Sequence, residues 1–208
     1  MKRQAAVGDT EEWIAEAARI ICEESVLDYR SAKLKAAQRL GLGPSSAMPD
    51  NGRIQAAVID YQRIFGGAEY AEHLQRLRAA AVQAMRLLGP FAPRLVGAVS
   101  SGAVTSAHRV QLHAFADKPE SLDFFLQDHG IPYLQGERDY RYPDGSKSAV
   151  PLVRFEAGDI GIDVATFTLD DQRRAPLSPT DGLPTRRLTL AQAEALARLD
   201  AATILAAR

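Results

Sequence analysis

The spacing of apolar residues along the chain changes near residue 90. Before that point they recur every three or four positions, which is the period of a helix with one buried side. After it they alternate with polar residues or form short runs, which is typical of strands. The pattern predicts an all-helical N-terminal region over residues 1–90 and an α+β domain over residues 91–208.

Four helices are predicted in the first region, each bounded by a capping residue or by glycine. The first helix is expected to start at a cap formed by Thr10, and the second to cover residues 27–40. The third is expected to start at Asp50 or Asn51 and to end at Gly66-Gly67. The fourth is expected to cover residues 68–88.

Five strands and two helices are predicted in the second region. The strands are expected at residues 95–99, 110–115, 133–142, 150–156 and 160–167. One helix follows the second strand, and Thr189 with Gln192 caps a final helix. Strands and helices in this order favour an α+β fold rather than a regular alternation of parallel strands and helices.

A small-residue turn, Ser100-Ser101-Gly102, follows the first predicted strand. Glycine has no Cβ atom, so a backbone at such a turn can approach a phosphate closely. Ser101 and Gly102 are therefore candidate phosphate-binding residues. The alternative is that they only connect two core strands.

The strand, the small-residue turn, the second strand and the later helix and strands together resemble the nucleotidyltransferase superfamily, which includes DNA polymerase β-like and minimal nucleotidyltransferases. The whole chain is also similar to a family of uncharacterised bacterial proteins of about this length. The resemblance implies a nucleotidyltransferase-like mixed β-sheet flanked by helices, with a helical N-terminal extension. It also implies a glycine turn for nucleotide phosphates, and three acidic residues that hold two Mg²⁺ ions for phosphoryl transfer.

Only one of the three acidic residues implied by the resemblance is present. The family's paired acids on the second strand fall at Arg109 and Gln111, and the third acid falls at Asp163. Asp163 is thus the one candidate catalytic residue and metal ligand. The substitutions at the other two positions imply a fold that has lost its chemistry.

Arg109, Gln111 and His113 alternate along the second strand and are expected to share one face with Asp163. Arginine binds phosphate through a planar fork of donors, so this cleft is a candidate nucleotide or phosphate site without metal. A solvated sheet face is the alternative. A hydrolase triad of Ser101, His108 or His113, and Asp163 is a further alternative without a supporting nucleophile motif.

Paired arginines flank the proline-rich passage that follows the last predicted strand. They are Arg173-Arg174 and Arg186-Arg187. Such pairs can clamp a phosphate, and the alternative is that they are ordinary surface residues.

The charge composition argues against nucleic acid as a binding partner. The formal net charge is −1, from 25 basic and 26 acidic residues, so the basic surplus of most nucleic-acid-binding proteins is absent. Cys22 is the only cysteine, which excludes a disulfide within the chain. No apolar run reaches the length of a membrane span, and the start lacks a signal-peptide pattern. We expect a cytoplasmic protein.

The sequence favours a catalytically degenerate module that binds a nucleotide or another phosphorylated ligand, with no certain cofactor. One alternative is an active Mg²⁺-dependent nucleotidyltransferase whose acids include Asp117 or Glu156. A second is a protein-interaction module that uses the helical half, with a homodimer formed through Val58, Tyr61 and Phe65.

Overall fold

The computed structural model describes residues 2–43 and 47–207, with side chains from Thr10 onward. Its first helices are α1 (Lys2–Glu24), α2 (Tyr29–Arg39), α3 (Asn51–Tyr61) and α4 (Gly67–Leu87). Asp28 and Asp50 cap α2 and α3, since their carboxylates accept hydrogen bonds from backbone N–H groups in the first turn.

One predicted boundary in the helical region is wrong. Thr10 lies inside α1 rather than at its start. The predicted end of the third helix at Gly66-Gly67 is confirmed. Helix α3 continues through a π-helical segment, Gln62–Gly66, and Gly67 then leaves the helical conformation with a φ of 50° where α4 begins. A positive φ is accessible to glycine and strained for other residues, so the helical path breaks at Gly67.

The helical region contributes to two cores. Helices α1 to α3 bury one another around residues such as Trp13, Ile20 and Ile54. Helix α4 instead buries Leu74 and Met85 in the same core as the sheet. The domain boundary at residue 90 stays a prediction, and the apolar core of α4 lies with the second region.

A five-stranded mixed sheet forms the centre of the second region, which confirms the α+β class. Its strands are β1 (Arg94–Val96), β2 (Val110–Phe115), β3 (Leu134–Arg141), β4 (Lys147–Ala157) and β5 (Ile160–Phe167). Their order in the sheet is β1-β2-β5-β4-β3, with β2 and β5 parallel and the other neighbours antiparallel. The middle position of β5 places its residues between β2 and β4.

The first predicted strand is too long. It ends at Val96, and Val99 lies in the short helix α5 (Ala98–Ser101). Gly97 causes the break, because its φ of 71° is accessible to glycine and strained for other residues. The residue that directly follows the first strand is therefore Gly97 and not the Ser101-Gly102 pair.

The remaining helices pack at the sheet and the C-terminus. They are α6 (Glu120–Asp128), α7 (Leu190–Ala197) and α8 (Ala201–Ala206). The predicted capping box of Thr189 and Gln192 is confirmed at the start of α7. The prediction of a single final helix is wrong, since Asp200 caps a separate helix, α8. No helix in the described part of the chain is long and apolar enough to cross a membrane.

The two faces of the sheet differ in polarity. One buries Leu112, Ile162 and Val164 in the core shared with α4. The opposite face packs Phe115 and Phe167 toward one end of β2 and β5, and is polar toward the other end. We call its polar part the arginine face, and it consists of Arg109, Gln111, Arg138, Arg154, Glu156 and Asp163.

Candidate functional site

Asp163 lies at the centre of the arginine face. It is only 6 % exposed, since β5 is an inner strand. Its Oδ1 accepts a hydrogen bond from Arg109 Nε at 2.6 Å, and its Oδ2 accepts one from Arg138 Nη2 at 3.1 Å. Two guanidinium groups thus hold one carboxylate, and each of its oxygens has an arginine partner.

Arg109 makes the most complete set of contacts in the site. Besides Asp163, it donates from Nη1 to Glu156 Oε1 at 2.8 Å and from Nη2 to the Phe155 carbonyl at 3.2 Å. The side chain reaches these partners by lying over Gly161, where a Cβ atom would overlap the guanidinium. All three guanidinium nitrogens therefore donate to acceptors of the chain itself.

Arg138 and Arg154 complete the positive charge of the face. Arg154 is paired directly with Asp163 in the β4–β5 register, so both side chains project from the same side of the sheet. Arg138 extends from β3 across β4 to reach Asp163. Arg154 is exposed and has no hydrogen-bond or ion-pair partner among the described residues. An external anion can therefore bind Arg154 without displacing a hydrogen bond or ion pair within the described part of the chain.

Gln111 lies beside Asp163 in the parallel pairing of β2 with β5, as the alternation along β2 predicts. Its side chain fills the space over Gly97, where a Cβ atom would come within 2.7 Å of Gln111 Oε1. The turn after β1 and the arginine face are therefore adjacent through Gln111.

His113 projects from the same side of β2 as Gln111 but is only 2 % exposed. Burial, with smaller effects from Arg187 and Arg138, lowers the pKa of His113 to about 3. The ring is therefore uncharged near neutral pH, and its Nδ1 accepts a hydrogen bond from Arg187 Nε at 3.0 Å. The structure places His113 in a packed position rather than at a surface open to an anion.

Arg187 closes the end of the sheet next to His113. Its guanidinium lies 4.9 Å from the ring centres of both Phe115 and Phe167, and Nη1 donates to the Asp171 carbonyl at 2.6 Å. Of the paired arginines in this passage, Arg187 is thus inserted into the fold. Arg174 pairs with Asp144 at a hairpin turn.

Ser101 and Gly102 contact helices rather than the arginine face. Ser101 Oγ accepts a hydrogen bond from Gln55 Nε2 at 2.9 Å, and the Gly102 carbonyl accepts one from the Tyr70 hydroxyl at 2.8 Å. The backbone N–H groups of both residues donate back to carbonyls at Gly97 and Ala98. The amides of this turn are therefore engaged within the turn itself.

The residues around Asp163 do not fit a Mg²⁺ ion, which requires several oxygen ligands without competing cations. Both carboxylate oxygens of Asp163 face arginines, and Glu156 is paired with Arg109. Asp117 lies beyond the far end of β2 from Arg109. The described residues contain no group of three or more His, Cys, Asp or Glu side chains placed to hold a metal.

The structure does not assemble a hydrolase triad either. His108 Nδ1 accepts hydrogen bonds from the backbone and hydroxyl of Thr105, while Ser101 binds Gln55 and Asp163 binds arginines. In the described part of the chain, no hydrogen bond joins any two members of the predicted set.

The sequence does not predict three residues of the site, which are Arg138, Arg154 and Gly161. The first two lie on strands whose register with β5 is not visible in the local sequence. Gly161 carries a usable signal, because an isolated glycine within a strand often marks the close approach of another group. Here that group is the side chain of Arg109.

Comparisons of the chain with models of protein families, with curated proteins and with solved structures found no match.

Proposed function

We propose that the chain binds a nucleotide or another phosphorylated small molecule on the arginine face, as a binding or regulatory module of nucleotidyltransferase-like fold that has lost catalysis. The observation that carries this proposal is the pairing of Asp163 with both Arg109 and Arg138. A carboxylate neutralised in this way is a poor metal ligand, and the arginines around it favour an anion.

The charge balance of the face supports an anionic ligand. Three arginines, Arg109, Arg138 and Arg154, surround two carboxylates, Asp163 and Glu156, which leaves an excess of one positive charge. The planar guanidinium of arginine donates two parallel hydrogen bonds to a phosphate group, a geometry that lysine does not offer. The exposed Arg154 provides such a donor pair without the loss of an internal contact.

The arrangement of the sheet is consistent with the nucleotidyltransferase resemblance. Gln111, at one of the two positions where the family has paired acids, lies directly beside Asp163, at the position of the third acid. Arg109, at the other position, contacts Asp163 directly. The adjacency of these three positions supports the proposed fold, and the lack of acids at two of them supports the proposed loss of catalysis.

Isothermal titration calorimetry tests the proposal with ATP, UTP and inorganic pyrophosphate, each with Mg²⁺ and with EDTA. We expect binding that persists in EDTA and weakens in Arg154→Gln. Arg141→Gln is the matched control, because Arg141 is exposed on β3 but projects from the opposite side to Arg138. Binding that requires Mg²⁺ would instead favour an active transferase, and no binding in either condition would refute the proposed function.

Exposed apolar residues on the π-helical segment favour a protein-interaction module as a second candidate function. Ile64 and Phe65 are 72 % and 70 % exposed on the π-helical segment, and the Phe65 ring lies against Tyr61. Val58, named in the predicted dimer surface, is instead buried. Sedimentation of the wild-type chain and of the Ile64→Ser, Phe65→Ser variant tests for a dimer. Identical monomeric behaviour of both chains over the accessible concentrations would reject it.

A further inference from the structure

The carboxylates of the arginine face lie where an external anion would bind. Asp163 accepts from Arg109 and Arg138, and Glu156 accepts from Arg109. These hydrogen bonds use the same guanidinium donors that a phosphate group would need. The site already contains its own anions.

We propose that Asp163 and Glu156 are internal competitors that weaken the binding of phosphate-containing ligands to the arginine face. The inference rests on the proposed function and concerns the regulation of the same site. A ligand first meets Arg154, which has no internal partner among the described residues, and then takes donors of Arg138 and Arg109 away from the two carboxylates. The ion pairs thus form an autoinhibitory contact.

The direction in which Asp163→Asn changes the affinity for a phosphate-containing ligand distinguishes this arrangement from a metal-dependent site. In a metal site, Asp163 would hold the cation that binds the nucleotide, so removal of its charge would weaken binding. With Asp163 as a competitor, removal of its charge weakens its hold on Arg109 Nε and Arg138 Nη2, while Arg109 keeps its bonds to Glu156 and the Phe155 carbonyl. It also ends a repulsion between the carboxylate and a phosphate. The same substitution then strengthens binding.

The difference in burial between the two carboxylates provides two independent variants. Asp163→Asn changes a buried group and keeps its shape, so its folding is checked by circular dichroism and by urea unfolding. The side chain of Glu156 is 57 % exposed, so Glu156→Gln removes a competing charge without disturbing the core. Glu137→Gln is the matched control, since it removes the same charge from an exposed β3 residue on the opposite side of the sheet.

Titration with inorganic pyrophosphate in EDTA tests the inference. We expect about tenfold tighter binding for Asp163→Asn and about two- to threefold for Glu156→Gln, the effects of one close charge and of one more screened charge. Glu137→Gln should change the affinity by less than Glu156→Gln. Asp163→Asn combined with Arg154→Gln should lose most of the gain, because the freed site then lacks its accessible cation.

The outcomes separate the inference from the proposed function. If the wild type binds and neither carboxylate variant binds more tightly than Glu137→Gln, the competition is refuted and the proposed function stands. If only the carboxylate variants bind, the competition is supported and binding by the wild type is refuted. If no chain binds, both are refuted. Should Asp163→Asn fail to fold, Glu156→Gln alone decides.

Discussion

The guanidinium of Arg109 lies over Gly161, in the space that the Cβ atom of any other residue would occupy. Gly161 is paired with Glu156 across β4 and β5, so the arginine crosses the glycine on its way to the glutamate. A glycine in an inner strand carries a conformational cost, which the contacts of Arg109 offset.

We predict that Gly161→Ala displaces Arg109 and lowers the free energy of unfolding by about 1–3 kcal/mol, the range for overpacking of a filled site. Urea unfolding measures the effect. In an Arg109→Ala background the same substitution should cost much less, since the clash is gone, and a double-mutant cycle gives the coupling. Gly136→Ala is the control, because a Cβ atom there would be 4.0 Å from Arg154. Equal losses at both glycines would contradict the prediction.

Arg187 stabilises the sheet end through its shape as well as its charge. It stacks on Phe115 and Phe167 and donates to His113. Lysine has no planar face to stack and no fork of donors. We therefore predict that Arg187→Lys lowers the free energy of unfolding by about 1–3 kcal/mol, close to the loss in Arg187→Ala. Arg186→Lys, at the exposed neighbouring position, should change it by less than about 0.5 kcal/mol. An unchanged free energy of unfolding in Arg187→Lys would show that a positive charge alone is sufficient to stabilise the sheet end.

The sequence predicts elements well where one periodicity dominates. The runs in β2 and β5 are bounded by polar residues and glycine, and both strands have the predicted limits. The prediction is wrong where glycine has two possible roles. A glycine can continue a strand or end it, and Gly97 ends the first strand at Val96, three residues before the predicted limit at Val99. Which role applies depends on tertiary packing that the local sequence does not contain.

The same distinction holds for the site. Alternation within β2 is sufficient to place Arg109 and Gln111 on one side of the strand. Their proximity to Asp163 requires the pairing of β2 with β5, which the family resemblance implies. The contribution of Arg138 depends on the whole strand order, because its side chain crosses β4 to reach β5. A contact over that distance has no signature in the spacing of residues.

Cys22 should be unreactive in the folded chain. Burial, strengthened by the charge of Glu23, raises the pKa of its thiol to about 12. Only the thiolate reacts, so at about pH 8 we predict labelling by a disulfide reagent at least about a hundredfold slower than for a free thiol. Labelling of the same sample in guanidinium chloride should be rapid and stoichiometric. Fast stoichiometric labelling of the folded chain would refute the prediction.

Acid should destabilise the fold through its buried histidines. Burial lowers the pKa of His108 to about 4. An interaction with the Thr105 backbone partly offsets this decrease, and His73 adds to it. The unfolded chain has a histidine pKa near 6.5 and binds more protons below that pH, so the free energy of unfolding falls as the pH drops from about 6.5 toward 4. We predict that His108→Asn, which keeps an acceptor for Thr105, removes about 2 kcal/mol of the decrease between about pH 7.5 and pH 4.5. Urea unfolding at both pH values measures this, and an unchanged pH dependence in the variant would show that His108 is not buried in its neutral form.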